Sequence, residues 1–100
     1  KKFGLRAPMV GHLGDGNFHV LLPYNPEKKE TYEKIRKFSD LLIEKTLELE
    51  GTITGEHGVG LHKKEYLKKE HADNLPTMKL IKRTMDPNNI MNPGKIFDLN

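Results

Sequence analysis

Cysteine is absent from the 100 residues. That excludes disulfides, thiolate metal sites and a cysteine nucleophile, so any metal must be held by nitrogen and oxygen. Serine is almost as scarce. Ser39 is the only one, and it sits in a helical stretch with no nucleophile elbow around it, which excludes a serine hydrolase. No apolar run approaches the roughly 20 residues of a membrane span. The opening Lys1-Lys2-Phe3 has neither an initiator Met nor a charged-then-apolar leader, so a targeting segment upstream is left open. A Gly-Lys-Ser/Thr phosphate loop is missing. Neither glycine cluster follows a strand and opens a helix, as a dinucleotide fingerprint must.

What is present fits one small domain, or part of a larger one. The apolar fraction is 35% and the charged fraction 31%, enough for a modest core. The net charge is +3. Acidic residues are interspersed with the basic ones, and basic residues and stacking aromatics do not share one face. The charge therefore reads as solvated surface, and no nucleic acid is expected as a partner.

Residues 8–24 read as two short strands, Ala7-Pro8-Met9-Val10 leading into the first and Phe18 to Tyr24 forming the second. Gly14-Asp15-Gly16-Asn17 between them carries turn chemistry. If those four residues form the hairpin loop, Leu13 pairs with Phe18 and His12 stands opposite His19. Opposed side chains share a sheet face, with Cβ atoms about 5 Å apart. A helix is expected next, capped by Asn25 with Pro26 in its first turn, and stopped by Gly51 in the left-handed conformation. Its inward stripe reads Tyr32, Ile35, Phe38, Leu42, Thr46 and Leu49. Lys63 to Glu70 reads as a short surface helix. A last helix runs from about Leu75 to Met85 with Leu75, Met78, Ile81 and Met85 inward, and Pro87 ends it.

Chemistry concentrates in two glycine-rich segments, Gly11-His12-Leu13-Gly14-Asp15-Gly16-Asn17-Phe18-His19 and Gly51-Thr52-Ile53-Thr54-Gly55-Glu56-His57-Gly58-Val59-Gly60. His12, His19 and Glu56 suit one divalent ion, zinc, manganese or iron. Two imidazoles and a carboxylate leave positions open for substrate. Asp15 competes as the carboxylate but more readily shapes the turn. His57, directed away from the Glu56 coordination position, is a candidate general base. Spacing alone leaves open that these histidines only satisfy hydrogen bonds of the fold. His62 and His71 lie among lysines and read as surface residues.

Those two segments, with Asp86-Pro87 through Asn92-Pro93-Gly94-Lys95-Ile96-Phe97 after them, closely resemble the end of the FAD-linked oxidases. The branch is that of D-lactate dehydrogenase and the glycolate oxidase flavoprotein subunit, in the vanillyl-alcohol-oxidase-like superfamily. The resemblance covers nearly the whole chain from Ala7 onward. It implies an α+β fold, an antiparallel sheet with packed helices, as part of a ferredoxin-like cap domain. Residues 1–100 would be the C-terminal portion of that substrate domain. The FAD-binding domain, which holds most of the cofactor, would be absent from this chain, leaving the fragment inactive alone.

The implied reaction oxidises a small D-2-hydroxy acid, D-lactate or glycolate, to the 2-oxo acid. The metal would lie on His12, His19 and Glu56, with His57 as base. Asn92, Gly94 and Lys95 belong to the family's terminal motif close to the flavin, and would bind the cofactor. Leu21 stands where the 2-hydroxyglutarate branch has a substrate-contacting Asn, which favours a small substrate. An electron acceptor such as a cytochrome, a quinone or an electron-transfer flavoprotein is implied. So is a cytoplasmic or peripheral-membrane location in bacteria, or a mitochondrial one in a eukaryote. Homo-oligomer formation stays open. Two other readings use the same residues: a metal-dependent hydrolase needing no flavin, and a non-catalytic structural module.

Overall fold

Pro8 and Gly11 limit the first strand, because proline has no N–H to donate and Gly11 bends the chain. In the computed structural model, which describes residues 3–100, β1 is therefore Met9–Val10 and β2 is His19–Val20. They pair antiparallel, with Met9 opposite Val20 and Val10 opposite His19. One further bond, from Leu21 N–H to the Pro8 carbonyl at 2.9 Å, closes the open end. The second strand expected over Phe18 to Tyr24 shrinks to two residues because its partner strand stops so soon. Three helices follow: α1 at Lys29–Glu48, α2 at Lys64–Glu70 and α3 at Leu75–Met85. The architecture is small α+β, as expected. None of the described helices is long and apolar enough to cross a membrane.

The chain divides into two compact units, the first ending at Glu50 and the second running from Gly51 to Asn100. In the first, α1 turns a half-buried stripe inward at Ile35, Phe38, Ser39, Leu42, Ile43 and Thr46. The spacings of three and four define one helical face. Phe38 meets Phe3 edge-on at 5.9 Å between ring centroids, and Tyr32 leans on Tyr24 at 6.0 Å. Tyr32 and Leu49, expected inward, are exposed.

Both ends of α1 differ from expectation. Asn25 accepts from the Glu27 amide through Oδ1 at 3.0 Å, and its carbonyl accepts from Lys28 N–H at 3.0 Å. This Asx turn uses Asn25 and Pro26 before the helix begins, so Asn25 is not its cap. At the other end Glu50 takes the left-handed conformation, φ 58°, one residue before Gly51. Its N–H already reaches the Leu47 carbonyl at 3.0 Å, which forces the reversal there.

The second unit is built around few buried groups. Ile53 and Leu67 are the buried apolar residues among those described, at 6% and 5% exposure. The α2 segment expected on the surface is thus an anchor, with Leu67 turned inward. Polar ties supply the rest. Lys64 pairs with Asp98 at 2.7 Å, and Ile96 N–H reaches the Gly60 carbonyl at 2.7 Å. Helix α3 has its expected bounds and half of its expected face. Leu75, Met78, Lys79 and Lys82 are half-buried, whereas Ile81 and Met85 are exposed. The lysines point toward the C-terminal tail, where Lys79 donates to the Asn100 carbonyl at 3.0 Å and Lys82 to the Met91 carbonyl. Arg83 donates to the Leu99 carbonyl.

Candidate functional site

His12 and His19 belong to the first unit, and their hairpin differs from the expected one. The loop between paired residues runs from Gly11 to Phe18, because the His12 carbonyl accepts both Asp15 N–H at 2.9 Å and Asn17 N–H at 3.2 Å. Leu13–Asp15 form a single 3-10 turn, closed by Gly16 at φ 72°. Val10, not His12, stands opposite His19, so the direct cross-strand histidine pair is corrected. His12 leaves the ladder two residues after Val10, with an exposed side chain. His19 stays in the strand, half-buried. Asp15 contributes its backbone to the turn, as expected of it.

Gly11 explains the tightness of this loop. A Cβ placed there would run into the Asn17 carbonyl oxygen and the Phe18 Cα, both main-chain atoms. Only glycine lets the chain entering the loop pass so close to the chain leaving it.

Glu56 and His57 belong to the second unit, on the bend 55–57. Their tips face one another, with Glu56 Oε1 3.5 Å from His57 Nε2. Neighbours diverge on an extended strand, where side chains alternate, but not on a bend. The expectation that the two side chains point apart is corrected. His57 is 75% exposed at its side chain, open to a molecule arriving from outside the unit.

This bend is fixed at both ends. Ile53, three residues before Glu56, donates its N–H to Glu70 Oε2 at 3.0 Å and receives Lys63 Nζ on its carbonyl at 3.1 Å. On the far side the Val59 carbonyl accepts Lys63 N–H at 3.3 Å, and the Gly60 carbonyl accepts Ile96 N–H. Gly58 lies between at φ 74°, a conformation natural to glycine.

The terminal motif lines a cavity of about 280 Å³. Asn92, Gly94 and Lys95 are on its wall with Lys82, Asp86 and Asn89, and apolar Met85, Met91, Ile96, Phe97 and Leu99 complete it. Asp86 organises this region. It is 6% exposed, and its carboxylate accepts from Lys82, from Ile90 N–H at 3.0 Å and from Met91 N–H at 2.9 Å. The Lys82 ammonium foremost, then the two amides, hold the Asp86 carboxyl below the ordinary aspartate range. The Asn89 Oδ1 is buried and accepts no hydrogen bond.

The donors present fit the groups proposed from the sequence. Imidazole and carboxylate without thiolate suit a borderline divalent ion such as zinc, manganese or iron. Asp86 and Glu70 do not stand out in the sequence, and Lys63 does so only, with Lys64, as a weak substitute for a cation clamping the substrate carboxylate; its ammonium is on the Ile53 carbonyl instead. A signal for Glu70 and Lys63 exists: Lys63, Leu67 and Glu70 are spaced four and three apart, so one helix face carries a cation, an apolar anchor and an anion.

Similarity to known proteins covers the same residues. The family described as FAD linked oxidases, C-terminal domain, matches residues 1–96. The chain is 44% identical over 94 residues to "D-lactate dehydrogenase [cytochrome], mitochondrial" of Arabidopsis thaliana, covering 93% of this chain and 17% of that protein. It is 41% identical over 97 residues to "Glycolate oxidase subunit GlcD" of Bacillus subtilis, 96% of this chain and 21% of the other. It is 41% identical over 90 residues to "D-2-hydroxyglutarate dehydrogenase" of Stutzerimonas stutzeri, 87% of this chain and 19% of the other. The chain thus spans 17% to 21% of the length of these three relatives.

Proposed function

The chain belongs to the family of FAD linked oxidases, C-terminal domain, and from that premise we propose that it is the C-terminal portion of the substrate domain of an FAD-dependent D-2-hydroxy-acid dehydrogenase. One structural observation carries the reading to chemistry: a carboxylate and an imidazole meet at 3.5 Å on an anchored, exposed glycine bend. The wide exposure of apolar residues, Leu13, Leu49, Leu80, Met85 and Ile90 among them, supports a piece that works inside a larger domain.

The substrate is a small D-2-hydroxy acid, D-lactate or glycolate, consistent with Leu21 beyond His19 and with the names of the plant and Bacillus relatives. His12, His19 and Glu56 would hold a divalent metal, and Asn92, Gly94 and Lys95 would hold the near edge of FAD. When bound, the metal would supply Lewis-acid polarisation of the substrate hydroxyl, and the flavin a two-electron acceptor for the hydride of the α-carbon. His57 would take the hydroxyl proton in the oxidation to the 2-oxo acid. The electron acceptor is of the cytochrome class, as in the Arabidopsis relative's name, and in a eukaryotic host the compartment is the mitochondrion, as that name also says.

The test uses the full-length protein. Its flavin should bleach anaerobically with D-lactate or glycolate. His57→Ala should keep its flavin and metal content yet bleach about a hundredfold or more slowly. A flavin that none of the 2-hydroxy acids bleaches would overturn the activity, and wild-type bleaching by His57→Ala would overturn the base.

A further inference from the structure

We propose that Glu70 and Lys63 are positioning residues for the Glu56–His57 pair, acting through the main chain of Ile53. The proposal rests on the assignment of His57 and Glu56 above. Residues 51–60 form no helix or strand, so no backbone ladder fixes the bend that carries the pair. Its place depends on single anchors. The anchor ahead of the pair is Ile53, whose side chain is buried and whose two peptide groups are both taken by charged side chains of α2 and its cap.

The arrangement has the right polarity. An anion receives the N–H and a cation donates to the carbonyl, and charge-assisted bonds of this kind are roughly twice as strong as neutral ones. Glu70 is only 12% exposed at its side chain, and its second oxygen lies 3.4 Å from His71 Nε2. Lys63 and Glu70 stand on either side of Leu67 on one helix face, so α2 presents a fixed template to one peptide. Lys63 acts twice. Its ammonium holds Ile53 before the pair, and its own N–H holds Val59 after it. The segment from Ile53 to Val59 is thereby spanned by one residue, with Glu56 and His57 in its middle.

Neither Glu70 nor Lys63 is assigned contact with the substrate. Releasing Ile53 should therefore displace the base while leaving its chemistry intact. Displacements of about 1 Å at a reacting group can cost on the order of a hundredfold in rate.

The experiment measures anaerobic flavin reduction by D-lactate and by glycolate in the full-length holoenzyme, using Glu70→Ala, Glu70→Gln, Lys63→Met and His57→Ala, with flavin content and thermal midpoint recorded for each. Glu70→Ala and Lys63→Met should lower the limiting reduction rate by about 10- to 100-fold at full flavin content, with a much smaller change in the substrate concentration for half-saturation. Glu70→Gln keeps an acceptor for the Ile53 amide and should recover to within about threefold of wild type. A purely structural role predicts instead a rate per bound flavin that is unchanged, with only the thermal midpoint lowered, and that result would overturn the proposal. A Glu70→Gln variant as slow as Glu70→Ala would overturn the Ile53 route. Slow His57→Ala beside fast Glu70→Ala sinks positioning alone, while fast His57→Ala sinks the base assignment on which it stands.

Discussion

Gly11, Gly14 and Gly16 lie in one loop but face different physical constraints, and substituting each in turn tests how the His12–His19 hairpin is held. At Gly11 an added methyl meets the Asn17 carbonyl oxygen and the Phe18 Cα. Neither atom can turn aside as a side chain would, so the main chain must part. Overpacking of this kind costs about 1–3 kcal/mol. The loop is held by two amides on the His12 carbonyl and the Leu21–Pro8 bond, each contributing roughly 0.5–1.5 kcal/mol net. The clash is thus as large as one or two of the bonds that define the loop, and the loop should yield. Gly14 has open space around it and no left-handed φ, so Gly14→Ala should stay within about 0.5 kcal/mol of wild type. Gly16 has open space but φ 72°, which costs a residue with a Cβ about 1–2 kcal/mol and costs Asn less. The assay is amide hydrogen exchange at Asp15, Asn17 and Leu21 in the full-length protein. Gly11→Ala should lose protection by about 5- to 150-fold at these amides. Gly16→Asn should recover part of what Gly16→Ala loses, whereas Gly11→Asn should recover nothing. Equal protection in Gly11→Ala and Gly14→Ala would refute the close-approach reasoning.

Two further outcomes follow from strain and charge. Glu50→Gly should raise stability by about 0.5–1 kcal/mol, the left-handed penalty relieved less the added freedom of glycine in the unfolded chain, read as a higher thermal midpoint; a lower midpoint would contradict the assignment of strain to Glu50. Asp86 has its carboxyl pKa depressed in the folded state, chiefly by Lys82, so its contribution is fully present above the ordinary aspartate value and is lost as pH falls through the lower folded value. Amide protection of Ile90 and Met91 should therefore decline below about pH 4 in wild type, and Asp86→Asn should abolish that acid limb; an identical acid limb in the variant would assign the loss to another group.

The bounds of α3 were legible in the sequence because Pro87 and an apolar rhythm are local signals, and local signals were present. Its inward face was legible only in part: Leu75 and Met78 turn in as expected, Ile81 and Met85 do not. Lys79 and Lys82 turn in because the Asn100 and Met91 carbonyls and the Asp86 carboxylate lie there, partners 21, 9 and 4 residues away. Periodicity ranks residues by apolarity and therefore favours Ile81 and Met85, but a lysine with a carbonyl to reach can bury its stem on the same face. The α1 ends failed for a related reason. Asn25 and Gly51 are the residue types that cap helices, yet an Asx turn used Asn25 first and the Glu50 amide closed the other end one residue early. Residue type gives the inventory of possible bonds, and competition decides which one forms.

The same distinction separates what could be read of the site from what could not. Imidazole, carboxylate and glycine at 11–19 and 51–60 announce their chemistry by type, but the Glu56–His57 meeting was not legible, because it depends on a bend where an extended segment would send adjacent side chains apart. The hairpin register needed more. Gly-Asp-Gly-Asn is compatible with a four-residue turn, but the loop that forms is longer because one carbonyl, that of His12, captures two amides and displaces its own residue from the ladder. Turn composition says that the chain reverses, not which acceptor closes it. The support of the bend lay further out of reach, since Glu70 meets Ile53 across 17 residues of sequence. A charged residue on a short polar helix ordinarily reads as solvated surface. What distinguishes Glu70 and Lys63 is the buried peptide group between them, whose N–H and C=O must each find a partner once Ile53 is taken out of water. Burial of a loop residue therefore predicts a charged clamp on the nearest helix, and that clamp sets where the adjacent chemistry stands.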